Sequence, residues 1–234
     1  MDACVTPESA NQQLNELKRE AATMARVCNH AHIIQFVGIV LTPKPCVVTV
    51  FCSNGSVETM LVNRKHVHFD LDCLSRMALE AALGVQHLHL EGVIHRDLAA
   101  RNLLIDDTYH VRVADFGFAR AKEHAASKGY TRSDMGPIRW SAPEAMRRKM
   151  YSEASDVFSF GVVLFEIFQR EMPWDGVETI DVLFRVCSGE QMSIDATVPP
   201  ELAELMRKCW DTIPANRPTI CEVINTINLF REGH

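Results

Sequence analysis

The stretch VIHRDLAARNLLI, residues 93–105, is the part of this sequence that indicates its fold most clearly. Its two ends are apolar, which is typical of short buried strands, whereas its middle is a polar loop. The loop presents Asp97 and Asn102, so that one short segment can direct a carboxylate and an amide oxygen into the same small volume. Oxygens of this kind suit a hard cation such as magnesium, and a carboxylate without a metal can accept a hydroxyl proton.

Two further motifs follow this loop in the chain. In VADFG, residues 113–117, an apolar strand again ends in an acid, Asp115, and residues 142–144 read Ala-Pro-Glu. In this order the three motifs are the signatures H-R-D-L-x-x-x-N, D-F-G and A-P-E, so the sequence resembles a eukaryotic protein kinase catalytic domain of the tyrosine kinase or tyrosine-kinase-like branch. The resemblance implies an α+β bilobal fold, ATP and Mg²⁺ as cofactors, and a protein substrate.

The resemblance assigns chemistry to individual residues. Asp97 would accept the proton of the attacking hydroxyl and hold it in line with the γ-phosphate, with Arg101 as the neighbouring cation. Asn102 and Asp115 would hold Mg²⁺ against the phosphate oxygens. The adenine site would consist of Thr49 as the gatekeeper, the hinge residues Val50, Phe51 and Cys52, and Leu104 as the floor. Thr49 is open to a second interpretation, as an ordinary strand threonine.

The same resemblance gives six further residues regulatory or structural roles. Glu20 corresponds to the αC-helix glutamate that pairs with a strand lysine, and Arg96 to the arginine that binds a phosphorylated loop residue. Tyr130 is the first candidate for that phosphorylation, although a lone loop tyrosine is also consistent with simple exposure. The structural residues are Glu144 and Arg217, which would form an ion pair, and Asp156, which would anchor the backbone of the catalytic loop.

The catalytic loop also bears on which hydroxyl receives the phosphate. Serine/threonine kinases usually carry a lysine two positions after the catalytic aspartate, where this sequence has Ala99. The cation is instead Arg101, as in tyrosine kinases, and residues 137–140 resemble the tyrosine kinase substrate platform. Some tyrosine-kinase-like enzymes that act on serine and threonine carry similar loops, and Ser141 departs from the commonest tyrosine pattern. We therefore expect transfer to tyrosine, with transfer to serine or threonine as the alternative.

The N-terminal part predicts an incomplete small lobe. Apolar residues recur at helical spacing from residue 14 to residue 27, in a helix that begins near Thr6 and resembles the kinase αC helix. No lysine precedes Lys18 and no glycine precedes Gly38, so the strand lysine and the glycine-rich turn of a kinase are both missing from this sequence. We expect a partial N-lobe over residues 1–52 and a complete, mainly helical C-lobe over residues 53–234. A catalytically dead binding module is the alternative to an active enzyme.

Local patterns predict the remaining elements. Apolar runs joined by a proline-rich turn indicate strands at 33–41 and 46–51, and together with the first helix these would be all that the N-lobe retains. Helical periodicity indicates helices at Leu71–Leu90 and near residues 180–187, 201–210 and 219–230. A further helix is expected to begin at Asp156 and to end near residue 168.

Charge, cysteine spacing and apolar runs disfavour several other classes of protein. The net charge of −6 disfavours nucleic acid or an anionic membrane as the main partner. None of the eight cysteines forms a C-x-x-C pair, which disfavours a zinc site or a disulfide framework. The longest apolar run, residues 157–168, is interrupted by Glu166 and is too short to span a bilayer. The N-terminus lacks the pattern of a secretory signal, so we expect a cytoplasmic protein.

Overall fold

The N-terminal elements form a small layer of one helix and two strands. The computed structural model describes residues 7–62, 68–116, 120–121 and 137–233. Helix α1 spans Pro7–Val27, and strands β1, Phe36–Val40, and β2, Cys46–Thr49, pair antiparallel. Both strands are shorter than predicted. Ile33 and Ile34 lie in the core before β1 begins, where the amide of Ile34 donates to the carbonyl of Val113 at 2.9 Å.

Helix α2, Leu71–Leu90, has the bounds that the sequence predicted. Its N-cap is Asp70, whose carboxylate accepts from the amide of Cys73 at 2.8 Å. A Cβ atom at Gly84 of this helix would lie 2.5 Å from the carbonyl oxygen of His32 and 2.6 Å from a methyl group of Val113. Glycine therefore allows α2 to pack closely against the strand that leads to Asp115.

Two short antiparallel ladders hold the polar loops. Strand β3, Val93–Ile94, pairs with β6, Arg120–Ala121, and β4, Leu103–Ile105, pairs with β5, Val111–Val113. The loop that carries Asp97 and Asn102 runs between β3 and β4, and Asp115 lies just beyond the end of β5. The ladders thus bring the acids of two separate motifs to one side of the molecule.

The remaining helices surround a long buried one. They are α3, Pro143–Arg148; α4, Glu153–Gln169; α5, Thr179–Ser188; α6, Pro200–Cys209; and α7, Ile220–Glu232. Helix α4 begins at Glu153 rather than at the predicted Asp156, because the N-cap Ser152 and Ser155 of the first turn form a capping box. Every residue from Ser155 to Phe168 is buried, so α4 is the centre of the C-terminal core.

The layers share one hydrophobic core. Met24 of α1, Cys52 after β2 and the apolar faces of α2 and α4 belong to the same cluster of buried side chains. This mainly helical C-terminal part with a small two-stranded N-terminal layer agrees with the predicted α+β kinase-like fold. Among the described helices, none is both long enough and apolar enough to cross a bilayer.

Candidate active site

The carboxylate of Asp97 is buried and is held by two neighbours in its own loop. Arg101 donates to Asp97 Oδ1 at 2.5 Å, and the Asn102 amide group donates to Oδ2 at 3.0 Å and to the Asp97 carbonyl at 2.7 Å. Burial raises the pKa of Asp97, while Arg101 and the Asn102 hydrogen bond act in the opposite direction. The loop therefore presents an oriented carboxylate of raised proton affinity.

Asp156 of α4 anchors the backbone of this loop. Its carboxylate accepts from the amide of His95 at 2.8 Å and from the amide of Arg96 at 2.9 Å. The Nε2 atom of His89 lies 3.0 Å from the same carboxylate, a partner that the sequence did not indicate. These contacts support Arg96 in its left-handed conformation, at φ 70°.

His95 connects the catalytic loop with the segment that carries Asp115. Its Nδ1 atom accepts from the amide of Asp97 at 3.3 Å, and its Nε2 atom lies 3.0 Å from the carbonyl oxygen of Ala114. The ring also packs against Phe116, with 5.6 Å between centroids. Asp115 itself has φ 61°, is exposed and lines the adjoining cleft.

The cleft between the small layer and the C-terminal core has a volume of about 320 Å³. This is in the lower part of the range for small-molecule sites, roughly 300–1,000 Å³. Asn102 and Asp115 form part of its polar wall, and Thr49 and Leu104 lie among the apolar lining. Four residues that the sequence assigned to nucleotide and metal therefore line one cleft.

Asn102 and Asp115 offer the donor atoms that a magnesium ion prefers. Because the Asn102 amide nitrogen donates to Asp97, the amide oxygen is the atom left to face a cation. Within the described ranges no group of three or more His, Cys, Asp or Glu side chains is arranged to hold a metal. Mg²⁺ is commonly held by one or two protein oxygens together with substrate phosphates, so this pair fits that ion.

Glu20 of α1 faces the same cleft. It is half-buried, and its pKa is raised by burial and secondarily by the negative charge of Asp115. The helix therefore directs an acid toward the predicted metal site, and a cation there would offset the repulsion between the two carboxylates.

The predicted hinge residues lie at the edge of the cleft. The amide of Val50 donates to the carbonyl of Gln35 at 3.0 Å, which continues the β1–β2 ladder beyond Thr49. Phe51 is 85% exposed and Cys52 is buried. Val50, Phe51 and Cys52 are not among the residues that line the cleft, so their contact with a nucleotide stays a prediction.

Glu144 and Arg217 form a buried ion pair between distant parts of the chain. The Arg217 guanidinium donates to both carboxylate oxygens of Glu144, at 2.7 and 2.9 Å, and its side chain is completely buried. It also donates to the carbonyl oxygens of Ala154 and Asp211, both at 2.8 Å. The contact joins the segment after residue 141 to the last helices of the fold.

Arg96 stacks over the ring of Tyr151, with 4.8 Å between the guanidinium carbon and the ring centroid. Tyr130, the predicted phosphorylation site that would pair with Arg96, lies outside the described residues. Its role stays a prediction.

The sequence prediction missed a contact between α4 and the segment 137–141. Glu166 accepts from the amide of Ala100 at 2.8 Å and from the Trp140 indole at 2.9 Å, both on one oxygen. The neighbouring Arg139 donates to the carbonyl groups of Pro173, Trp174 and Val177. The only sequence signal for this contact was Glu166, a charged residue that interrupts the apolar run 157–168.

Comparison with known proteins decides the family. The model of the protein tyrosine and serine/threonine kinase family matches residues 4–227. This chain belongs to that family. The expectation of a protein kinase domain with a kinase-like fold is therefore confirmed.

Several curated kinases are similar to this kinase domain over almost its whole length. The serine/threonine-protein kinase STY17 of Arabidopsis thaliana is 36% identical over 97% of the chain. The probable serine/threonine-protein kinase drkD of Dictyostelium discoideum is 34% identical over 90%. The serine/threonine/tyrosine-protein kinase HT1 of Arabidopsis thaliana is 32% identical over 93%. The matched regions make up 40%, 16% and 55% of these relatives, so the chain spans about half of their length or less.

Proposed function

We propose that this kinase domain transfers the γ-phosphate of ATP to a serine or threonine hydroxyl of a protein substrate. The observation that carries the proposal of phosphoryl transfer is that Asn102 and Asp115 line one cleft while Asn102 also donates to the Asp97 carboxylate. The choice of serine or threonine is supported by the names of relatives such as STY17 and drkD. It replaces the tyrosine preference that the catalytic loop alone favoured.

Transfer to tyrosine is the second candidate. Its support is the contact between Arg101 and Asp97 at 2.5 Å, because the cation sits where tyrosine kinases place it and Ala99 leaves the lysine position small. The relative HT1 carries both activities in its name. A domain that accepts serine, threonine and tyrosine is consistent with both observations.

Asp97 is the proposed proton acceptor. As the substrate oxygen attacks the γ-phosphorus, the bond from that phosphorus to the bridging oxygen of ADP breaks and the hydroxyl proton passes to the Asp97 carboxylate. Arg101 and Asn102 orient this carboxylate, and its burial favours taking up the proton. Base catalysis of this kind contributes roughly 10²–10⁴ in rate.

Asn102 and Asp115 would hold magnesium, and Glu20 faces them across the cleft. When bound, the ion would neutralise charge on the phosphate oxygens. Leu104 and Thr49, which line the cleft, would contact the adenine. The hinge role of residues 50–52 is proposed from the resemblance to kinases alone. The proposed division into a partial N-lobe, residues 1–52, and a C-lobe, residues 53–234, places this cleft at the boundary between the lobes.

The test is transfer of labelled phosphate from Mg²⁺·ATP to a mixed set of peptides that contain serine, threonine or tyrosine. The expected result is label on serine or threonine that disappears in Asp97→Asn, a variant that keeps the size of the side chain but removes the carboxylate. Label on tyrosine alone would contradict the choice of acceptor. Equal transfer by the wild type and Asp97→Asn would contradict the role of Asp97.

A further inference from the structure

Trp140 is the meeting point of three elements. Its indole N–H donates to Glu166 Oε2 at 2.9 Å, and its carbonyl oxygen accepts from the hydroxyl of Ser159 at 2.7 Å. The Arg101 guanidinium lies over its ring, 4.4 Å from the centroid. Helix α4 therefore fixes the position of Trp140, and Trp140 in turn supports a side chain of the catalytic loop.

Glu166 of α4 joins the segment 137–141, which contains Trp140, to the catalytic loop. Its side chain is fully buried, and Oε2 accepts from both the Trp140 indole and the Ala100 amide, which is 2.8 Å away. The other oxygen, Oε1, has no hydrogen-bond partner among the residues that the structure describes. Burying a carboxyl oxygen without a hydrogen-bond partner costs free energy. Neither Glu166 nor Trp140 lines the cleft that contains Asn102 and Asp115.

Arg101 carries the contact on to Asp97. Its side chain is long and 31% exposed, so an unsupported guanidinium would sample several rotamers. Stacking on Trp140 restricts it to the arrangement in which it donates to Asp97 at 2.5 Å. Both the Trp140 indole and the Ala100 amide donate to Glu166. One buried carboxyl group therefore holds both the ring under Arg101 and the backbone of the catalytic loop that carries Asp97.

We propose that Glu166 and Trp140 are positioning residues. They hold Arg101, and through it the carboxylate of Asp97, in a fixed position relative to the segment 137–141. The inference rests on the proposed phosphoryl transfer, for which Asp97 is the proton acceptor. Since a misplacement of about 1 Å at reacting groups costs roughly 10² in rate, the pair acts on kcat. We expect the KM for ATP to stay unchanged, because Glu166 and Trp140 do not line the cleft; Arg101 lines it, but its proposed role is to hold Asp97.

Four variants separate this role from general stability. Glu166→Gln keeps an oxygen acceptor for both N–H groups, whereas Glu166→Leu removes it. Trp140→Phe removes the indole donor and retains an aromatic ring. Trp210→Phe is the matched control, because the Trp210 indole is also buried but has no hydrogen-bond partner within the described ranges.

The first readout is independent of catalysis. In ¹H–¹⁵N spectra the Arg101 side-chain signal should be displaced by the ring current of Trp140. We expect that displacement to persist in Glu166→Gln and Trp210→Phe, and to be reduced in Glu166→Leu and Trp140→Phe. An Arg101 signal that is unchanged in both of the latter variants would overturn the proposal, even for a chain that transfers no phosphate.

The second readout is steady-state kinetics of peptide phosphorylation. Glu166→Leu is expected to lower kcat about 100-fold with the KM for ATP unchanged. Glu166→Gln should retain most of the kcat, and Trp210→Phe should match the wild type. Equal loss in the Gln and Leu variants, or a loss that lies in the KM for ATP, would refute positioning through the Oε2 contact. Absence of transfer by the wild type would refute the proposed function and leave the spectroscopic result to decide this inference.

Discussion

Asp156 shows how a single buried carboxylate shapes the catalytic loop. It is 1% exposed and satisfies the backbone amides of His95 and Arg96, next to the proposed proton acceptor. Regular secondary structure does not satisfy these amides, so the loop conformation depends on one side chain contributed by α4. The same carboxylate lies 3.0 Å from His89 of α2, which fixes the two helices relative to each other.

Substitution of Asp156 should therefore be costly. We expect Asp156→Ala to lower the free energy of unfolding by about 3 kcal/mol, because it leaves buried donors without an acceptor. Asp107→Ala, at an exposed turn position, is the control and should change it by less than about 0.5 kcal/mol. Urea unfolding measures both. A loss for Asp156→Ala no larger than that of the control would contradict the anchoring role.

Helix α4 contains a buried ionisable side chain, Glu166, which makes the free energy of unfolding depend on pH. Burial raises the pKa of Glu166 from 4.5 to about 7, and the charge of Glu58 contributes in the same direction. The amide of Ala100, the Trp140 indole and the charge of Arg101 oppose this rise. The folded state therefore retains a proton on Glu166 over a pH range in which the unfolded chain has lost it.

The sign of the pH effect follows from this difference. Between pH 4.5 and about 7 the folded state binds more protons at Glu166 than the unfolded state, so stability falls as pH rises. A shift of this size corresponds to about 3 kcal/mol. We expect the free energy of unfolding of Glu166→Gln, relative to wild type, to rise across this interval and to level off above it. A constant difference between pH 4.5 and 8 would contradict the raised pKa.

The elements also show where sequence reasoning succeeds. Helix α2 was predicted with its observed bounds because its apolar periodicity is a local property of the sequence. The start of α4 was predicted three residues too late, because the prediction followed the apolar run and did not consider the capping box formed by Ser152 and Ser155. The residues of the three kinase motifs could be identified because their spacing is fixed. The contact of Trp140 with Glu166 could not, because it joins segments that meet only in the folded chain.

For the whole molecule, burial is unevenly distributed between the two parts. The exposed fractions of Val37, Ile39 and Val40 in β1 are 62%, 39% and 40%, whereas α4 is buried throughout the range Ser155 to Phe168. Few apolar contacts therefore oppose local opening of the two-stranded sheet.

Hydrogen exchange should reveal this difference. We expect amides that bridge β1 and β2 to exchange faster than interior amides of α2 and α4 under native conditions, because they open without global unfolding. Mass spectrometry of proteolytic fragments after exchange can measure both groups. Equal protection of the sheet and of α4 would show instead that the two parts open as one unit.

Paramagnetic broadening with Mn²⁺·ATP in place of Mg²⁺·ATP can show whether Asn102 and Asp115 form a metal–nucleotide site beside Asp97. We expect the backbone amides of residues 102 and 114–116 to broaden first. The effect should vanish in Asp115→Ala and persist in Asp97→Asn, because Asp97 is not a proposed metal ligand. Broadening centred elsewhere, or broadening that is unchanged in Asp115→Ala, would rule out a metal site at these two residues.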